Sequence, residues 1–428
     1  MQIHVVEQGQ SLTEIARTYG SSAQEIARVN ELPDPNRLVV GQALVIPITG
    51  SYYWVQPGDS LYTIGQRFSI SAAELARVNG ISQFQPLQVG TRLYIPPRPR
   101  RAADFNAYAE PTGSSVSAAL EADTRRAAPH LTYLAPFSFR IRRDGTLSRP
   151  PLNDFPAIAR DNRVLLMMVV TNLEGDQFSS ELGGLILNNQ ELQNQLLDNV
   201  FRTARELGVG DIHFDMEKLP PENRDEYVAF LRRAKTRAER EGMMMSVALA
   251  PKTRADQPGV WYAAHDYGQI GAIADFVVIM TYEWGYSGGP PMPVSPIGPV
   301  RRVLQYALTE MPAEKILMGQ NLYGYDWTLP FQPGTTARAL SPQAAIALAA
   351  ERNVAIQYDP QAQAPFFQYT DDEGRQHQVW FEDARSIQAK FNLVKQLGIR
   401  GVSYWKLGLS FPQNWLLIED NFRVRKRR

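Results

Sequence analysis

Residues 211–217 read Asp211-Ile212-His213-Phe214-Asp215-Met216-Glu217, a strict alternation of ionisable and apolar side chains. On a β-strand successive side chains point to opposite faces, so one face carries four ionisable groups and the other three apolar ones. Helical patterns flank the run on both sides, and strands set between helices are normally covered on both faces. A line of acids aimed into a covered interior is costly unless it does chemistry. The run therefore reads both as one strand of a parallel α/β fold and as its candidate active site.

Working outward, the same alternation of short apolar runs and helical stretches fills the chain beyond residue 103. The expected strands are Phe105–Ala109, Leu131–Phe139, Arg163–Thr171, Asp211–Glu217, Met243–Ala250, Phe276–Tyr282, Lys315–Leu322 and Gly401–Trp405. Helices are expected between them at Gln190–Leu207, Arg224–Glu241, Val300–Thr309 and Ser386–Leu397. Eight such strands suggest an α/β fold of the (β/α)8 TIM-barrel type, whose usual ~250 residues leave room for insertions. The largest insertion, about residues 335–382, is expected between strands seven and eight as a small α+β unit. Its strand signals are Val354–Tyr358, Pro365–Tyr369 and Gln376–Phe381, with an Asp-Asp-Glu-Gly turn at 371–374.

Composition narrows the function. The 428 residues carry 44 basic and 44 acidic side chains, which gives no global pull toward nucleic acid or membrane. There is no cysteine, and the five histidines show no metal-ligand spacing, so neither a metal nor a cofactor is expected. The N-terminus lacks the basic-then-apolar pattern of a secretory signal, and the longest apolar run, Val164–Val170, is too short to span a bilayer. The basic end, Arg423–Arg428, reads as a solvated tail.

The N-terminal hundred residues repeat themselves at a constant offset of 49. Val6-Glu7-Gln8-Gly9-Gln10-Ser11-Leu12 pairs with Val55-Gln56-Pro57-Gly58-Asp59-Ser60-Leu61, Ala27–Asn30 with Ala76–Asn79, and Leu38–Pro47 with Leu87–Pro96. Three blocks in one register mark a duplicated module of about 45 residues. Each copy reads strand, helix, helix, strand, with a serine able to cap the first helix. Both copies resemble LysM domains, and that resemblance implies binding of N-acetylglucosamine-containing glycans such as peptidoglycan or chitin. It places the sugar groove at Gly9, Gln10, Ser11 and Asn30 in one copy, and at Gly58, Asp59, Ser60, Asn79 and Ile81 in the other. Taken singly, these residues also suit plain turn and cap roles. The expected organisation is LysM modules at 1–48 and 50–97, a proline- and arginine-rich linker at 98–103, and the barrel at 104–428.

Active sites of TIM barrels lie at the C-terminal ends of the strands. Acids and aromatics gather at those ends here, in Asp215–Glu217, Met280–Trp284, Tyr323–Trp327 and Tyr404-Trp405, as a sugar cleft would require. A retaining glycosidase usually sets two carboxyl groups ~5–5.5 Å apart on opposite sides of the sugar. Asp215 and Glu217, two residues apart on one strand, rise roughly 6–7 Å apart from the same side. Neither can attack C1 from behind the bond that the other protonates, so the nucleophile must come from the substrate.

The Asp-x-Glu ending of strand four, Met280-x-Tyr282 and Trp405 resemble glycoside hydrolase family 18. The resemblance implies that the substrate's 2-acetamido oxygen attacks C1, that Glu217 is the acid and later the base, and that Asp215 orients the acetamido group. It makes Tyr282 the phenol on the acetamido oxygen and Trp405 the floor of the cleaved sugar; His213, Met280, Glu283, Tyr323 and Trp327 complete the expected substrate set. His213 stands where the family usually has aspartate, and Glu283 where it commonly has another aspartate. His213 reads equally as a core histidine or as a hydrogen-bond partner holding Asp215. Asp211 lies outside the motif register and reads as structural. Both departures, with Val379–Ser386, resemble the subgroup of bacterial spore enzymes that join LysM modules to this barrel. That implies an N-acetylglucosaminidase acting on spore cortex peptidoglycan or its fragments during germination, spore-associated and made without a signal peptide. The alternatives are a chitinase and a non-catalytic wall-binding coat protein. Removing residues 1–97 is expected to weaken wall binding more than cleavage of short fragments.

Overall fold

The computed structural model describes residues 1–427. Eight parallel strands close into a barrel: Arg101–Ala109, Tyr133–Pro136, Leu165–Thr171, Asp211–Asp215, Met244–Leu249, Phe276–Ile279, Ile316–Asn321 and Gly401–Trp405. Each pairs with the next and the eighth with the first, so no barrel edge is left open. All eight expected strands are present in the expected order. Helices alternate with them, and local chemistry sets where they stop. The helix Gln190–Leu207, for example, is capped by Asn189 and ended by Gly208 in a left-handed turn, which releases the chain into strand four.

Two apolar layers follow from the period-two alternation. Ile212, Phe214 and Met216 pack outward in the large core between strands and helices. Tyr108, Tyr133, Met167, Val169, Phe276 and Leu317 fill the barrel interior. Asp211, His213, Asp215 and Glu217 also face inward, and all four are buried. Strand four is shorter than expected, however. Its ladder ends at Asp215, because side chains rather than a neighbouring strand hold Glu217.

The insertion begins earlier than residue 335. Gly324–Leu329 already belongs to its five-stranded antiparallel sheet, with Arg338–Leu340, Gln357–Asp359, Ala364–Thr370 and Gln376–Trp380. The helix Pro342–Glu351 covers this sheet through its own apolar core. The linker is also shorter than 98–103. Arg101, Ala102 and Ala103 pair with Phe422, Arg423 and Val424, so the basic end is not a solvated tail. Asp104 is fully buried at the barrel base, and Arg400, Arg425 and Arg427 converge on it at 2.8–3.1 Å. A buried carboxylate needs such partners, and the tail supplies two of them.

The N-terminal copies are each a two-stranded antiparallel sheet with two helices, built on Gln2–Val5 with Ala43–Ile46 and on Ser51–Trp54 with Arg92–Ile95. Serines 11 and 60 cap the first helix of each copy, as expected. The strand Ala43–Ile46 packs on the barrel helices Ala384–Leu397 and Pro412–Asn421, and Ala43 and Val45 enter the barrel's main apolar core. Removing residues 1–97 would therefore bare apolar barrel surface as well as remove the two N-terminal modules. No helix among the described residues is long and apolar enough to cross a membrane.

Candidate active site

A cleft of about 1110 Å³ opens at the C-terminal ends of the strands and is lined by Asp215, Glu217, Met280, Tyr282, Glu283, Tyr323 and Trp405. The insertion contributes Tyr325 and Ala339 to one wall. Seven of the nine catalytic and substrate residues expected from sequence thus meet in one place.

Glu217 is positioned by its backbone. Its N–H donates to Asn172 Oδ1 at 2.9 Å, and Asn172 Nδ2 donates to its carbonyl at 2.8 Å. Asn172 follows the third barrel strand, so a single amide ties two strand ends together. The preceding residue is braced as well: His265 Nε2 donates to the carbonyl of Met216 at 3.1 Å, while its Nδ1 accepts from the N–H of Ala250 at 3.0 Å. Burial drops the His265 pKa to about 4, so the ring is neutral. Lys218, which follows Glu217, adopts a left-handed backbone, and its ammonium lies 4.6 Å from the centre of the Trp261 ring.

Burial raises both site carboxyls, and the neighbouring Asp215 charge lifts Glu217 further, well above the usual carboxylate range. Two close buried acids cannot both ionise cheaply, so the pair retains a proton, and Glu217 holds it. Asp215 Oδ1 is buried and has no hydrogen-bond partner within the protein. A buried acceptor without a donor is costly, and an N–H delivered by a bound molecule would satisfy it. The Tyr282 phenol is raised by burial and then by Asp215 and Glu217, so it stays protonated and can donate. Gly319 leaves room for it: a Cβ there would lie 2.9 Å from the Tyr282 ring.

His213 takes the core position, away from the cleft and from contact with Asp215. It lies below the cleft, where Nδ1 is 2.7 Å from Ser246 Oγ and Nε2 is 2.8 Å from the Tyr108 hydroxyl. Ser246 donates onward to Asp211 Oδ2 at 2.6 Å, so Nδ1–H donates to Ser246 and the Tyr108 hydroxyl donates to Nε2. Burial lowers the His213 pKa to about 3 and raises that of Asp211 to about 7. The chain Asp211–Ser246–His213–Tyr108 therefore fixes Tyr108, which itself lines the cleft. Asp211 anchors that chain from below the cleft.

Trp327 is the other departure. Only 2% exposed, it packs inside the insertion, and its Nε1 donates to the Gly289 carbonyl at 2.8 Å. It shares a strand face with Tyr325 but lies two residues farther from the cleft mouth, under the Tyr286–Gly289 turn. Glu283 accepts from the hydroxyls of Tyr323 and Tyr325, the latter at 3.1 Å. Trp405 meets Phe137 edge-on at 4.8 Å and Tyr108 at 5.5 Å, and all three line the cleft. Sequence reading missed Tyr108, Asn172 and the rim residues Trp261 and Tyr286. Tyr108 and Asn172 sit at the ends of the first and third strands, where the rule that found Asp215 applies equally. Trp261 and Tyr286 sit in long loops that carry no such signal.

In the N-terminal copies the expected groove residues serve their own turns. Gly9 and Gly58 take left-handed backbones, and Ser11 and Ser60 cap helices. Gln10 accepts from the Glu7 N–H and Asp59 from the Gln56 N–H. Asn30 braces Ile26 to Val45, and Asn79 braces Leu75 to Tyr94. Ile81 is half-buried against its module's core.

Glycosyl hydrolases family 18 matches residues 121–409, and the LysM domain matches 4–47 and 53–96. The chain is 62% identical over 428 residues to the cortical fragment-lytic enzyme of Bacillus subtilis (strain 168), covering 100% of this chain and 99% of that one. It is 53% identical to the cortical fragment-lytic enzyme of Bacillus anthracis, over the whole of both chains. The crystal structure of the Bacillus megaterium QM B1551 spore cortex-lytic enzyme SleL superposes with a TM-score of 0.92 at 54% identity, covering 100% of this chain and 99% of that one.

Proposed function

The chain belongs to glycosyl hydrolases family 18, and from that premise we propose an N-acetylglucosaminidase that cuts spore cortex peptidoglycan or its fragments during germination. The barrel from Arg101 onward carries the chemistry, and the LysM modules bring it to N-acetylglucosamine-containing glycan. The relatives named as cortical fragment-lytic enzymes, similar over full length, support the substrate and a spore location.

Glu217 gives its proton to the glycosidic oxygen as the C1–O bond breaks. The substrate's acetamido carbonyl oxygen bonds to C1 and forms a cyclic oxazolinium ion. Asp215 accepts the acetamido N–H on its otherwise unpartnered Oδ1 and offsets the positive charge of the ring, while the Tyr282 hydroxyl donates to the attacking oxygen. The leaving sugar departs, and Glu217, now a carboxylate, takes a proton from the water that opens the ring. Two inversions at C1 retain its configuration. Trp405, Met280, Glu283 and Tyr323 shape the subsite that holds the cleaved sugar.

The observation that carries this reading is the pair of buried carboxyls at one side of the cleft, one of them with an unpartnered buried acceptor. The test is mass spectrometry of products from cortex, vegetative peptidoglycan and chitin, with wild type and Glu217→Gln in parallel. Cleavage next to N-acetylglucosamine by the wild type alone supports it. Brisk turnover of substrates stripped of N-acetyl groups, or a sugar ester trapped on the protein, refutes it.

A further inference from the structure

The two LysM copies share one sequence register but are held differently. In the first, the segment after the second helix is tied to the barrel domain at both ends, with residues 33–36 exposed between them. Gln343 donates to the carbonyl of Asn30 at 2.8 Å, Arg37 to that of Ala350 at 2.6 Å, and Arg385 to that of Gly41 at 3.0 Å. The Ile356 N–H donates to the Val40 carbonyl at 2.8 Å, and Arg126 pairs with Glu31 at 2.9 Å. Val39 is buried in the apolar core of the insertion.

The second copy rests on the first. The Tyr52 N–H donates to Gln2, Arg92 donates to the Thr18 carbonyl at 2.6 Å, and Trp54 meets Tyr19 edge-on. Its segment after the second helix is open. Phe84, Tyr62 and Val89 are 87%, 67% and 62% exposed, the three most exposed large apolar side chains among the described residues. Tyr62 follows the Gly58–Ser60 loop, whereas Phe84 and Val89 lie beyond Asn79, so they flank both expected groove walls. Exposed apolar side chains concentrated on one small module mark a contact surface, and flat rings suit the apolar faces of sugars.

We propose that the copies have divided their work: the first is a joint that fixes the pair to the barrel, and the second is the surface that takes the N-acetylglucosamine-containing glycan. This rests on the glycan-binding reading above and assigns it to one copy. A loop pinned to protein at both ends cannot close around a sugar, whereas an unpinned one can. Because the joint is rigid, glycan gripped by the second copy is held at a set distance from the cleft.

The test uses the full chain carrying Glu217→Gln, so that glycan is held and not cut. Hydrogen exchange is measured with and without tetra-N-acetylchitotetraose, alongside binding to insoluble cortex. Protection is expected in residues 80–91 and not in 31–42. Tyr62→Ser with Phe84→Ser, both on exposed side chains, should weaken cortex binding at least about tenfold. Gln8→Asp with Pro33→Asp on the first copy should change it less than about twofold. Equal losses from both pairs, or protection in 31–42, overturn the division of work while leaving the glycan reading intact. Protection of neither segment, with cortex binding unchanged in both pairs, refutes the glycan reading and the division together.

Discussion

Gly41 and Gly90 occupy the same place in the two LysM copies and share a left-handed backbone, φ +83° and +85°. Alanine at either position incurs about 1–2 kcal/mol of steric strain, so that part of the effect cancels between them. What does not cancel is the neighbourhood. A Cβ on Gly41 would lie 1.8 Å from the backbone oxygen of Ile356, whereas one on Gly90 would meet nothing within 4 Å. A backbone oxygen cannot swing aside, so the first-copy loop must lift off the insertion. Lifting breaks the Ile356–Val40 bond, worth about 1 kcal/mol, and the half-exposed Arg385–Gly41 bond, worth roughly the same. It also returns part of Val39 to water, out of the ~1.5–3 kcal/mol its full burial contributes. Gly41→Ala should therefore destabilise the protein by roughly 2–4 kcal/mol more than Gly90→Ala. Urea unfolding of the two variants beside wild type measures the difference. Equal destabilisation would refute the reasoning and show that the first copy is not load-sharing with the barrel.

Other predictions follow from the site and the barrel base. Asn172→Ala frees both backbone groups of Glu217, and kcat on cortex fragments should fall about 10- to 100-fold with KM nearly unchanged; steady-state kinetics decides it. In Asp215→Asn the charge that lifts Glu217 disappears, so the alkaline limb of residual kcat/KM should move to lower pH. An unmoved limb would mean that burial alone sets the acid. The pKa of Asp211 is raised in the fold from 3.8 to about 7, so its share of stability is complete below about pH 4 and lost as pH rises toward 7. Thermal melting of Asp211→Asn should accordingly fall less than wild type across that interval. Ending the chain at Val424 removes Arg425 and Arg427 from buried Asp104 and should cost roughly 3–5 kcal/mol, read as a lower Tm.

Much of this protein was legible in its sequence, because the informative signals are local and periodic. Alternation every second residue placed strand four and its inward acids, and the regular exchange of strand and helix patterns gave eight barrel strands in order. The 49-residue offset marks the two modules without reference to any contact. Carboxyls two residues apart must rise from one side, and that alone pointed to a nucleophile supplied by the substrate. Tertiary structure decided whatever depends on which surfaces meet. His213 turned from Asp215 to Tyr108 because Ser246 and Asp211 hold its other nitrogen, and Trp327 went into the insertion because the Gly289 carbonyl receives its N–H. The basic end folded back because the buried Asp104 carboxylate needs positive partners beyond Arg400, and the end supplies two. Two modules of matching sequence diverged because the first packs on the barrel and the second on the first, and a repeat pattern carries no record of which neighbour each copy will touch.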